Sequence, residues 1–238
     1  MIGASVNLSP TTPAAPAAER RTPSDQLSQN PLIAVLRAAR ATDYDRVVEV
    51  LADAGVRSIE LTLSTPGTFE HLPALQKSLG ERVEIGIGTI VCADQARRAI
   101  DAGADYLVTP VVDLEVINLA VRSGTPIYAG GLTPTELYSA WAAGVTAVKI
   151  FPAQTVGSAY AAHLRGPFPD LQFLPSGGVG LADVPAWLRA GAVAVSLGGP
   201  LLGDALDGGS LVSLADRARR AVEIVREARD DGRAGGRA

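Results

Sequence analysis

Eight short apolar runs, each set off from the next by an amphipathic stretch, organise the chain between Leu32 and Gly199. The runs are LIAVLR (32–37), RSIELTL (57–63), VEIGIGT (83–89), DYLVTP (105–110), PIYAGG (126–131), AVKIFP (147–152), LQFLPSGG (171–178) and AVAVSLGG (192–199), and each predicts a strand. The stretches between them predict helices. In ATDYDRVVEVLADAG, for instance, Tyr44, Val47, Val48, Val50 and Leu51 approximate one helical face. Four helices end in Ala-Gly before a strand, at Gly55, Gly103, Gly144 and Gly191, where glycine tolerates the left-handed conformation that closes a helix. Eight strand–helix units in 238 residues predict an α/β fold, a single-domain (β/α)8 TIM barrel, for which roughly 250 residues is typical. An open doubly wound sheet is the alternative. The regular eightfold repeat and the lack of GxGxxG after the first strand favour closure.

The same pattern sets the expected limits of the barrel at 24–229. Residues 1–23, rich in Pro, Ala, Ser and Thr, read as a disordered N-terminal tail, and 230–238 (DDGRAGGRA) as a C-terminal one. The first of these lacks the basic start and apolar core of a secretory signal, and no apolar run approaches the ~20 residues of a membrane span. A cytoplasmic location is therefore expected. An apolar fraction of 47% is ordinary for a globular chain, and a net charge of −4 spread along the sequence argues against nucleic acid or an anionic membrane as partner. Cys92 is the single cysteine, which excludes an intrachain disulfide and agrees with a reducing compartment. With only His71 and His163 besides, His-based metal or triad chemistry is disfavoured, and no cofactor is expected.

Side-chain alternation narrows the search for chemistry, because the active site of such a barrel lies at the C-terminal ends of its strands. In the second strand Ile59, Leu61 and Leu63 form an apolar face for the outer helices, which turns Glu60 and Thr62 inward. Lys149, one of only two lysines, falls within the apolar TAVKIFPAQ, and an outward ammonium there would be wedged against a helix. Inward is the expectation. The polar residues late in strands are Arg37, Glu60, Thr62, Thr89, Thr109, Lys149 and Ser176. A lysine in a barrel mouth with a carboxylate in reach suits Schiff-base chemistry: the amine must be neutral to attack a carbonyl, an apolar surround favours that form, and the carboxylate moves protons. The bland alternative is a buried Lys149–Glu60 ion pair filling a polar layer. Arg37 is either a ligand contact or a partner of Glu60. His71, His163, Trp141 and Trp187 fall in predicted helices with core or surface roles, and Cys92 opens the helix after the third strand as a small packed residue. The glycine pairs Gly177–Gly178, after Ser176, and Gly198–Gly199 end the seventh and eighth strands, whose loops commonly bind phosphate through exposed N–H groups.

The combination of IELTL, GIGTI, TP, KIFPAQ and PSGGV resembles the class I aldolases of the Entner–Doudoroff type. These are the 2-keto-3-deoxy-6-phosphogluconate (KDPG) and 4-hydroxy-2-oxoglutarate (KHG) aldolases and their phosphogalactonate relatives. The resemblance spans roughly Pro31 to Arg220. It implies a (β/α)8 barrel, usually a homotrimer, that reversibly cleaves a 2-keto-3-deoxy acid to pyruvate plus an aldehyde such as glyceraldehyde 3-phosphate or glyoxylate. By the same resemblance Lys149 matches the Schiff-base lysine and Glu60 the general acid/base. Thr89 matches the threonine near the pyruvate carboxylate, Phe151 and Pro110 line the pyruvyl pocket, and Gly177, Gly178, Gly198 and Gly199 match the phosphate loops. Two departures stand out. Ser64 occupies the place where the phosphogluconate branch often carries a carboxylate-binding arginine, for which Arg37 is a replacement donor, and Pro200 follows the last glycine pair where many members have serine. Two other classes compete: a phosphosugar epimerase or synthase barrel without an imine, and a keto-acid-binding barrel without turnover.

Overall fold

Every predicted strand is present in the computed structural model, which describes residues 20–235. They are β1 (Leu32–Leu36), β2 (Ser58–Thr62), β3 (Glu84–Gly88), β4 (Leu107–Val108), β5 (Ile127–Gly131), β6 (Ala147–Ile150), β7 (Phe173–Pro175) and β8 (Val195–Leu197), each lying inside its predicted run. All ladders are parallel, in the order β7-β6-β5-β4-β3-β2-β1-β8. Val193 N–H donates to Phe173 O at 2.9 Å across the remaining seam, so the sheet is a nearly closed TIM barrel. Around it lie α2 (Asp45–Asp53), α3 (Thr68–Leu79), α4 (Ala93–Asp101), α5 (Leu114–Ser123), α6 (Pro134–Ala142), α7 (Ala159–Arg165), α8 (Val184–Arg189) and α10 (Leu211–Gly235), with the four-residue α9 (Gly199–Leu202) directly after β8. Outward strand residues such as Ile59, Leu61, Ile85, Ile87, Val148 and Ile150 are fully buried in the large core shared with these helices. Burial of that apolar surface is the main term favouring the fold.

A second, smaller core fills the barrel interior. Its floor is α1 (Asp25–Gln29), which the sequence pattern did not predict because five residues are too few to show a period. The Ser24 side chain caps this turn, accepting from Leu27 N–H at 3.0 Å, and Leu27 packs among Ile33, Tyr106, Tyr128, Ala147, Leu174 and Ala194. The Tyr106 and Tyr128 rings meet edge-on with centroids 5.5 Å apart, and Ser58 Oγ donates to Tyr106 Oη at 3.0 Å. A Cβ at Gly86 would lie 2.1 Å from the Tyr106 ring, so that glycine makes room for it.

The pairing registers stack the inward residues in layers of four, drawn from alternate strands. Ser58, Tyr106, Ala147 and Ala194 form a lower layer, followed by Ile33, Gly86, Tyr128 and Leu174. Glu60, Val108, Lys149 and Ser196 come next. Above them are Val35, Gly88, Gly130 and Ser176, and Thr62, Pro110, Phe151 and Gly198 reach the mouth.

Three expectations are corrected. Cys92 is exposed rather than packed, because it precedes α4, whose buried side is carried by Ala96 and Ala99. The chain after residue 229 stays helical to Gly235 as the end of the long α10, despite the low helix propensity of Asp230, Asp231 and Gly232, so the expected C-terminal tail begins as helix. The predicted N-terminal tail falls on residues 1–19, outside the described residues, and on 20–23, of which Arg21 and Thr22 are exposed but Arg20 packs: its guanidinium lies 3.4 Å from the Trp141 ring centroid and donates to the Trp141 and Val145 carbonyls. Among the described residues, no helix is long and apolar enough to cross a membrane.

Leu27→Ala should open a cavity in the barrel floor and cost about 2–5 kcal/mol, read as a lower urea midpoint. The far-UV circular dichroism of the folded fraction should be unchanged.

Candidate active site

Lys149 reaches the barrel axis because β6 alternates Ala147 and Lys149 inward with Val148 and Ile150 outward. The lysine is 5% exposed, and Glu60, projecting from β2 in the same layer, is 1% exposed. Nζ and Oε1 stand 3.8 Å apart, beyond hydrogen-bond reach, and Glu60 Oε2 has no partner among the described residues. A buried ion pair that served only as filling would need good geometry and further hydrogen bonds to offset its desolvation. This pair has neither. Burial pushes the Glu60 carboxyl above its ordinary range, and the charges of Lys149 and Arg37 oppose that shift.

Two glycines in the next layer shape the space around the pair. A Cβ at Gly88 would lie 1.9 Å from Glu60 Oε1, and one at Gly130 would lie 2.6 Å from the Pro110 backbone. The carboxyl therefore occupies room that only glycine leaves on β3. Neither glycine was singled out from the sequence, although inward parity on β3 and β5 marks both. Nearer the mouth, the Phe151 ring centroid is 5.2 Å from Lys149 Nζ. Thr62 Oγ1 and Ser64 Oγ share a hydrogen bond of 2.9 Å. Thr89 follows β3 with φ of 64°, a left-handed conformation that costs a non-glycine residue about 1–2 kcal/mol. The flanking bonds Leu63 N–H to Gly88 O at 2.9 Å and Ile90 N–H to Val108 O at 3.2 Å hold it there. Such strain concentrates where function needs it.

Not every polar residue late in a strand joins the site. Thr109 is structural: its hydroxyl donates to Val111 O at 2.5 Å and accepts from Gly130 N–H at 3.2 Å. Arg37 is exposed just past β1 and forms no ion pair with Glu60 or with any other acid among the described residues. It is open to a ligand, and its charge already acts on Glu60.

At the mouth, Gly177 and Gly178 have φ of 86° and 75°, which only glycine adopts without strain. Gly177 also sits against Phe151, where a Cβ would come within 2.9 Å of the ring. The N–H groups of Gly177, Gly178, Val179 and Gly199 have no main-chain acceptor among the described residues. Val179 was not expected from the sequence, because the donor is its backbone and not its side chain. Pro200, next to Gly199, has no N–H to add.

The model of the family described as "Aldolase: KDPG and KHG aldolase" matches residues 24–211. The chain is 33% identical to 2-dehydro-3-deoxy-6-phosphogalactonate aldolase of Escherichia coli over 199 residues, covering 83% of this chain and 96% of that one. It is 28% identical to the KHG/KDPG aldolase of the same organism over 200 residues, covering 83% and 93%. Among solved structures it is similar to native KDPGal, with a TM-score of 0.78 and 32% identity over 84% of this chain and 96% of that one.

The raised Glu60 carboxyl has a consequence for stability. A group held above its unfolded value contributes most below the unfolded pKa, and that contribution is lost as pH rises through the folded one. Glu60→Gln cannot ionise. Its melting temperature should therefore gain on the wild type as pH is raised from about 4, and a gap that does not change with pH would contradict the shift.

Proposed function

The chain belongs to the KDPG and KHG aldolase family, and from that premise we propose that it cleaves a 2-keto-3-deoxy sugar acid through an imine on Lys149, with Glu60 moving the protons. It is a carbon–carbon lyase of the class I, pyruvate-forming type. The observation that carries the assignment of residues is the buried pair at 3.8 Å, which lacks the hydrogen bonds of a structural ion pair.

In its neutral form the Lys149 amine attacks C2 of the keto acid. The C2 oxygen takes one proton from the nitrogen and a second from Glu60 and leaves as water, giving the protonated imine and the Glu60 carboxylate. Glu60 then accepts the proton of the C4 hydroxyl, the C3–C4 electrons pass to the imine, and the aldehyde departs. Glu60 returns the proton to C3 of the enamine through water, and hydrolysis frees pyruvate and the amine. Burial favours the protonated carboxyl that the return step needs. Arg37 and Thr89 receive the substrate carboxylate, and Phe151 and Pro110 enclose the pyruvyl methyl. Ser176 and the donors at Gly177, Gly178 and Gly199, beside Gly198, hold the far end of the substrate, where unsatisfied N–H groups suit a phosphate. The working reading is a cytoplasmic homotrimer acting on the 6-phosphorylated acid, with glyceraldehyde 3-phosphate as the aldehyde, in preference to 4-hydroxy-2-oxoglutarate and glyoxylate.

Borohydride reduction in the presence of pyruvate should leave a pyruvyl adduct on the peptide containing Lys149. Lys149→Ala should give no adduct and no turnover, whereas Glu60→Gln should still be trapped while turnover falls by at least about 100-fold. Full activity in the lysine variant would end the imine reading. In the condensation direction, kcat/KM should favour glyceraldehyde 3-phosphate over glyceraldehyde and glyoxylate; equal values would remove the phosphate assignment and leave the imine intact.

A further inference from the structure

One polar group of the barrel interior has no part in the mechanism above. Ser196 is 2% exposed, and its Oγ has no hydrogen-bond partner among the described residues. Its register places it opposite Ile33, with Val195 and Leu197 turned outward into the helix-facing core. The hydroxyl therefore points into the barrel, in the layer that β2, β4, β6 and β8 supply as Glu60, Val108, Lys149 and Ser196. Glu60 and Lys149 face each other across that layer. Ser196 flanks the pair on one side and Val108 on the other, so the two sides differ in chemistry. One offers a hydroxyl and the other only methyl groups.

A buried hydroxyl without a partner costs stability, and the apolar neighbours Ala194 and Val108 show that this interior accepts small apolar side chains. Its presence calls for a ligand atom. The imine route, on which this argument rests, brings one: the C2 oxygen becomes a hydroxyl when Lys149 adds and departs as water. We propose that Ser196 is a third catalytic residue, whose Oγ–H donates a hydrogen bond to the oxygen on C2. As the Lys149 nitrogen bonds to C2, the carbonyl π pair moves onto that oxygen, which takes a proton from the nitrogen to become the carbinolamine hydroxyl. A second proton, from Glu60, releases it as water while the nitrogen lone pair forms the C=N bond. Ser196 keeps its own proton throughout, stabilising the oxygen as charge builds on it and retaining the water for the later hydrolysis. Val108 keeps the opposite side of the imine dry.

The test needs pyruvate alone, so it is independent of the aldehyde. Adduct formation is followed by timed borohydride quenching, and exchange of the pyruvate carbonyl oxygen is followed in 18O-labelled water. In Ser196→Ala both rates should fall about tenfold or more, the loss expected for a hydrogen bond to a developing charge. The final extent of trapping should be unchanged, and the melting temperature equal to or above that of the wild type. Ser196→Cys, which keeps a weak donor, should fall between the two and carries the test alone if the alanine variant does not fold. Wild-type rates in the variants overturn the proposal, as does slowing that merely follows a lost melting temperature. If the wild-type chain yields no adduct, the imine itself is wrong and this role goes with it; an adduct formed equally fast without the hydroxyl removes only Ser196.

Discussion

Two ionisable side chains, Lys149 and Glu60, are held inside a barrel without the bonds that would make them comfortable there. Much of the interior follows from that constraint. The lower layers, sealed by Leu27, are apolar or aromatic apart from Ser58, which is bonded to Tyr106, so the barrel's own packing supplies the stability that the pair does not. Above the pair β3 and β5 present glycine, and the carboxyl uses the space at Gly88. Higher still, Thr89 is kept in a strained conformation by two strand-end hydrogen bonds. Apolar packing at one end thus supports unsatisfied polar groups at the other.

Much of this was legible in the sequence. Strand-length runs imply the barrel, and alternation on β2 and β6 is enough to turn Glu60 and Lys149 inward. The four Ala-Gly helix ends are all glycines with positive φ, as their position implied. The alternation argument works because a residue on the wrong face of a buried strand meets an incompatible environment, so parity is strongly enforced.

What the sequence concealed has physical reasons. A five-residue plug has no period to detect. Glycine has no side chain to read as apolar or polar, so only their inward parity marks Gly88 and Gly130, although both shape the cavity. DYLVTP reads as six strand residues, but β4 is only Leu107–Val108: Thr109 N–H still donates to Tyr128 O at 3.1 Å, and Pro110, which has no N–H, ends the pairing. Cys92 looked like packing because cysteine usually is buried, and its place just ahead of a helix outweighed that tendency. Ser196 sat in an apolar run whose parity was not followed to the axis.

The alternate-strand stacking divides two tasks between neighbouring strands. Even-numbered strands bring the reactive atoms, Glu60 and Lys149, while the odd-numbered β3 and β5 bring space, Gly88 and Gly130, at the level just above. A side chain at position 88 would displace the proton carrier itself, so on that side of the barrel the volume offered to a substrate and the reactivity applied to it must change together.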